Sequence, residues 1–175
     1  MAKIFKDSYE RPLHWQVIDK IHYADGRVEE REYYNTVVND CSRLIACLMA
    51  GAQGYAGIKY WAVGSGESNW SNTSLPIPDI TNTSLVNETY RKAITPENIT
   101  FIDADNKPTS EVTNKLQVSV TFNEDEANGE LREFALFGGK ATDSLNSGLM
   151  VNHKIHPIIF KTDGMILERL IRLTF

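Results

Sequence analysis

Cysteine is nearly absent: Cys41 and Cys47 are the only two in 175 residues. Six positions apart, they would sit about 120° from a shared helical face, and a bridge between them would strain a regular helix. Without Cys-x-x-Cys spacing they form no redox or zinc motif, so they read as two small buried thiols in a reducing cytoplasm. Long apolar runs are missing too. None approaches the roughly 18 residues of a membrane span, which excludes a helical pore and gives no reason to expect membrane contact. The opening stretch Met1-Ala2-Lys3-Ile4-Phe5-Lys6-Asp7-Ser8 lacks the apolar core of a secretion signal. Positive charge is in deficit, with 18 Lys and Arg against 23 Asp and Glu, net −5. Without a basic patch that balance does not support a grip on nucleic acid.

Chemical motifs are equally sparse. Phosphate-binding and dinucleotide glycine fingerprints are missing. Gly64-Ser65-Gly66 is the nearest fragment of a nucleophile elbow, but no partner constellation accompanies it, and a tight turn at a strand end explains it. His153 and His156 are three apart, which puts them on opposite faces of a strand rather than on one metal. The acidic clusters Glu124-Asp125-Glu126 and Asp103-Ala104-Asp105-Asn106 read as solvated hairpin tips. No carboxylate pair stands out for a wall hydrolase. The expectation is therefore a protein that is not an enzyme, with no catalytic, cofactor-binding or metal-binding residues. Five Asn-x-Ser/Thr sequons, at Asn69, Asn72, Asn82, Asn87 and Asn98, are the vocabulary of polar loops.

What is present is β pattern. With 42% hydrophobic and 23% charged residues, the chain has the composition of a globular domain with one sizeable core. Trp15, Val17, Asp19, Ile21 and Tyr23 alternate on one side of a stretch that ends in Asp25-Gly26, a strong hairpin signal. Val28–Tyr34 is the return strand, so residues 1–34 read as an arm followed by a hairpin with one polar face. The first dozen residues, with Pro12, are expected to order on a partner surface. Val37, Val38, Cys41, Leu44, Ile45, Leu48 and Met49 have helical spacing, with Asn35 or Thr36 as the cap and Gly51 as the stop. Ile58–Val63 is a strand that ends at Gly64. Residues 65–87 form a long polar loop around Pro76, Ile77 and Pro78, and Ser84–Arg91 reads as a short helical turn. Leu116, Val118, Val120 and Phe122 alternate cleanly as a half-buried strand. Strands over 91–95, 99–102, 131–137, 149–154, 156–160 and 165–175 complete the set. The fold class expected is mainly β with one packed helix: a β-sandwich over 35–175 preceded by the N-terminal hairpin arm.

Trp70 stands in Ser-Asn-Trp-Ser-Asn-Thr without an apolar neighbour in sequence, either tucked into the core or anchoring a partner. With Pro76, Ile77, Pro78 and Ile80 it makes up the candidate assembly interface. A carbohydrate-binding sandwich, using Trp61, Trp70 and loop 67–84, is the alternative.

From residue 35 onward an ordered set of motifs resembles the tail-collar fibre family, the attachment module at the N-terminus of tail fibres in contractile-tailed phages and phage-derived injection particles. The motifs are a helix ending in small residues (Leu44–Gly57), Ala62-Val63-Gly64-Ser65-Gly66, the proline loop, Leu85–Arg91 with Glu88 and Arg91, and Leu131-Arg132-Glu133-Phe134-Ala135-Leu136-Phe137. Ala135 stands where the family often has glycine, and residues 1–34 have no family counterpart. The resemblance implies a structural component of a phage or phage-like tail. Its partners would be other tail, baseplate and fibre proteins, itself a trimer, located in the virion tail after assembly in the host cytoplasm. A chain ending at Phe175 would be the attachment module without shaft or tip, an adaptor or baseplate piece. One of Arg132 and Glu133 has to face inward, and a buried charge requires a partner.

Overall fold

The structure, a computed structural model, describes residues 15–175; the expected arm around Pro12 lies outside the described residues. In chain order the elements are β1 (Gln16–His22), β2 (Val28–Tyr34), β3 (Thr36–Val37), α1 (Asn39–Met49), β4 (Ala56–Gly64), β5 (Glu88–Ala93), β6 (Ile99–Ile102), β7 (Pro108–Thr109), β8 (Lys115–Phe122), β9 (Gly129–Gly139), β10 (Leu149–Met150), β11 (Asn152–Lys161) and β12 (Ile166–Thr174). The protein is mainly β, with two sheets and a single α-helix among the described residues, consistent with a sandwich. No helix of the described residues is long and apolar enough to cross a membrane.

One sheet runs β2-β1-β12-β8-β6-β7 and the other β3-β11-β9-β4-β5, with β10 also paired to β9. The hairpin β1–β2 is hydrogen-bonded along β12, from Gln16 opposite Arg172 to His22 opposite Ile166. Residues 15–34 thus belong to the same sheet and core as the C-terminal strand. Their inward residues, Trp15, Val17 and Ile21, meet Val118, Phe122, Leu167 and Ile171 from that sheet and Trp61, Phe134 and Leu136 from the other. Period-two alternation supplies this core because one face of each strand is turned to the opposite sheet.

Three local readings are corrected. The helix starts at Asn39, because Thr36 and Val37 are used instead to pair with β11. Neither Asn35 nor Thr36 caps it. The Asn35 carboxamide oxygen accepts from the Trp15 amide at 3.1 Å, while the Asn39 amide donates to the Ile80 carbonyl at 2.8 Å. Ser84–Arg91 is not helical; its end is β5, with the register against β4 shifting between Val63 and Gly64. Gly51 does end the helix, with φ +61° and its amide donating to the Leu48 carbonyl. Both thiols are free, and burial pushes the Cys41 thiol up to about 11.

The inward position on β1 between Val17 and Ile21 is Asp19. It receives a bond from Arg169 Nη2 of β12 at 2.9 Å, and the same nitrogen lies 3.0 Å from His156 Nε2 of β11. His156 Nδ1 is 2.9 Å from the Pro157 carbonyl, and Tyr33 stacks on the ring at 5.8 Å. With Nδ1–H donating to the carbonyl and Nε2 accepting from arginine, the imidazole is neutral. Burial, then the Arg169 charge, hold its pKa well below the ordinary value of 6.5, with Arg31 and Lys154 adding to the effect. The unfolded chain therefore binds a proton below about pH 6.5 that the folded chain refuses, so this group makes stability fall as pH falls. The expected slope approaches 1.4 kcal/mol per pH unit, roughly one proton's worth. Urea unfolding between pH 7.5 and 5.5, ~two units, should show this slope reduced in His156→Gln; equal slopes would contradict the neutral assignment.

Candidate assembly interface

Strand β9 is buried almost throughout its second half, Glu133–Gly139, although a two-layer sandwich covers only one face. Phe134 and Leu136 point into the sandwich core. Ala135 and Phe137 belong to a second cluster with Ala62, Val38, Leu85, Ala141 and Met150. Loop 65–87 and the 140–148 connection supply part of that second cluster and act as a cover. The loop is thus built into the molecule by named contacts.

Glu133 is the principal contact and is fully buried. Its Oε1 accepts from the Asn87 amide at 2.8 Å, and its Oε2 from the Val86 amide at 3.1 Å and His153 Nε2 at 2.9 Å. His153 Nδ1 lies 3.1 Å from Asn82 Nδ2. With the amide nitrogen facing it, Nδ1 accepts, so the ring proton sits on Nε2 and donates to the carboxylate. The inward charge of the Arg132–Glu133 pair is therefore Glu133. Arg132 donates to the Trp70 carbonyl at 3.1 Å and pairs with Glu130 at 3.3 Å.

Glu88 and Arg91 hold the other cover segment. They are three apart on a strand, which ordinarily means opposite faces. The shift that leaves Thr89 unopposed between Gly64↔Glu88 and Val63↔Tyr90 restores them to one side. Arg91 Nε and Nη2 then donate to the two Glu88 oxygens at 2.5 and 2.8 Å. Arg91 Nη1 donates to the Thr142 carbonyl at 2.8 Å, Glu88 accepts from the Asn146 amide at 2.6 Å, and Asn146 Oδ1 accepts from the Leu85 amide at 3.2 Å. That last bond joins the two cover segments. The Arg91 guanidinium also lies over the Phe137 ring at 4.8 Å.

The glycines at the loop's start have specific reasons. A Cβ on Gly64 would lie 2.5 Å from the Asn87 carbonyl and 2.7 Å from Glu133 Oε1. Gly66 has φ +56°, and a Cβ there would lie 2.1 Å from the Trp70 ring. Trp70 is thus folded back over Gly66 and half-buried. Trp61 is fully buried against Phe134, at 5.5 Å between rings. This corrects its proposed part in sugar stacking, since no face of it reaches solvent.

The remaining candidate residues lie outward. Ile77 is 89% exposed and Ile80 55%, with Pro76 exposed and Pro78 half-buried between strand edge and solvent. A groove of about 320 Å³ separates this loop from the β2–β3 crossing and β11, lined by Tyr34, Thr36, Pro76, Ile77, Lys154 and Ile155. Sequence reasoning missed Tyr34, Lys154 and His153. Two adjacent tyrosines at the end of an edge strand were the available signal for the first; nothing local marked the others. His153 and His156 do lie on opposite sides of the sheet that contains β11, one under the cover and one in the sandwich.

Comparison of the chain with protein-family models, with curated proteins and with solved structures gives no match.

Glu133→Ala should cost about 3 kcal/mol, since it strands two amides and an imidazole. Amide exchange should accelerate at Val86 and Asn87 while β8 and β12 keep their protection. A double-mutant cycle of Glu133→Gln with His153→Phe should give a coupling of at least about 1 kcal/mol. Additive effects would mean that the clamp is not a unit.

Proposed function

We propose that this chain is a structural component of a phage or phage-like contractile tail. It attaches fibres to the baseplate, or forms part of the baseplate–fibre assembly, by protein–protein contacts. On this reading it works as a homo-oligomer in the virion tail, a trimer as in the family its motifs resemble, and the proline loop meets a neighbour.

The observation that carries the assembly role is a contrast within one loop. Its backbone is gripped by Glu133, Arg132 and the helix N-terminus, through Val86, Asn87, Trp70 and Ile80, and His153 holds the Asn82 side chain. Its side chains at Ile77 and Ile80 are nevertheless turned to solvent. An apolar side chain presented on a pre-ordered backbone loses little conformational entropy on docking, which is what a permanent assembly contact needs. The motif order supports the choice of tail: Glu88, Arg91, Arg132 and Glu133, the charged positions of the family-like motifs, each bond the loop or the 140–148 connection.

Electron microscopy of the particle made by the source phage or injection system should place this chain at the fibre–baseplate junction. A particle without the chain would overturn the reading. Ile77→Glu with Ile80→Glu should leave unfolding stability within about 0.5 kcal/mol, as expected for exposed positions. The same variant should yield particles with fibres missing; normally fibred particles would remove the loop from the contact.

A further inference from the structure

Strand β11 is covered along its outer edge in two pieces with a gap between them. β3 pairs with Asn152 and His153. Farther along, Arg31 Nη1 from β2 donates to the Pro157 and Ile158 carbonyls at 3.2 and 3.3 Å. Lys154 and Ile155 stand in the interval, on opposite faces of the strand, and with Pro76 and Ile77 they line the groove. Tyr34, 59% exposed, lies at its mouth. The groove therefore sets apolar Pro76, Ile77 and Ile155 beside polar Thr36 and Lys154, and it opens beside a strand edge.

Among the described residues that line it, the cation is Lys154. Among the described residues no carboxylate pairs with this ammonium, which lies over the Tyr33 ring 5.4 Å from its centroid. Arg31, the other cation nearby, is already bonded to Glu29 at 2.6 Å. Burial alone draws the Lys154 pKa below its ordinary value, and no acid acts to raise it. An ammonium partly withdrawn from water, with no counter-charge among the described residues, gains more from an arriving carboxylate than a fully solvated lysine does.

We propose that this groove receives an extended, acidic segment of a neighbouring protein. An aliphatic side chain would lie between Tyr34 and Ile77, and an adjacent carboxylate would meet Lys154. A basic segment would place like charge on Lys154 and is selected against. A second copy docking edge to edge through β2 is disfavoured, because antiparallel pairing about Arg31 would set Glu30 of each strand opposite Glu32 of the other. This inference rests on the assembly reading and names the chemistry of the partner at that same surface.

The probe is the peptide acetyl-Gly-Asp-Leu-Asp-Gly-amide, titrated into the 15N-labelled full chain, with the peptide carrying Lys for both Asp as its counterpart. Shifts should concentrate at Tyr34, Ile77, Lys154 and Ile155. Affinity should be at least about tenfold weaker for the lysine peptide and for Lys154→Met, and retained in Lys154→Arg. Spectral dispersion shows that each variant is folded. The proposal is overturned by no response at about 1 mM peptide, by equal response to both peptides, or by an unaffected Lys154→Met. Shifts at the same residues on raising protein concentration without peptide would assign the groove to a second copy and also overturn it. A negative titration with the chain found at the fibre junction removes only the acidic partner. A positive one with the chain absent from the particle removes only the tail reading.

Discussion

The carboxylate of Glu133 is enclosed by the loop that it holds. Taking such a group out of water costs several kcal/mol unless its oxygens are bonded, and here the bonds come from Val86, Asn87 and His153. Sheet and cover are thereby conditional on each other. Without the loop the charge on β9 keeps only the His153 bond; without the charge the two amides at the loop's end have no acceptor. Glu88 and Arg91 repeat the arrangement for the 140–148 segment, and the Leu85–Asn146 bond links the two. A long polar connection becomes a third layer in this way.

A second polar network lies on the sandwich side of the same sheet. Asp19, Arg169 and His156 bring the N-terminal hairpin, the C-terminal strand and β11 together at one point. A one-residue slip of β1 against β12 would turn Asp19 to solvent and leave Arg169 buried alone, so the pair specifies register as well as contributing contact. Phe134 faces this network, with the Arg169 guanidinium 4.7 Å over its ring, while its neighbour Glu133 faces the other. The outward loop surface is thus backed by interactions on both sides of β9, which is why Ile77 can be exposed on a backbone that is not free to collapse around it.

Strands with one covered face were legible. Leu116, Val118, Val120 and Phe122 alternate because every second side chain meets the other sheet, and Asp25-Gly26 marks the hairpin by its turn geometry. Helical spacing over Cys41, Leu44 and Ile45 likewise marked α1, though its start was misplaced, since Thr36 and Val37 gain more from pairing with β11 than from another helical turn. Ser84–Arg91 misled for a definite reason: a bulge at Thr89 gives a strand the same-face spacing of three that a helix has. The need for a partner on Arg132 or Glu133 was readable from two adjacent charges within an apolar strand. Which of the two turns inward, and that His153 meets it, was not.

Pattern along the chain, by itself, determined the class: strands of period two, one amphipathic helix, glycines where the backbone must turn or approach closely, and an apolar loop tip in a polar setting. These depend on neighbours a few residues away, and local sterics and local burial are enough to impose them. The tertiary structure alone decided which charges are inside and what they hold. Glu133 and Val86 are 47 positions apart and Asp19 and Arg169 are 150 apart. The worth of a buried charge is set by the partner that folding brings to it, and no local pattern carries that information.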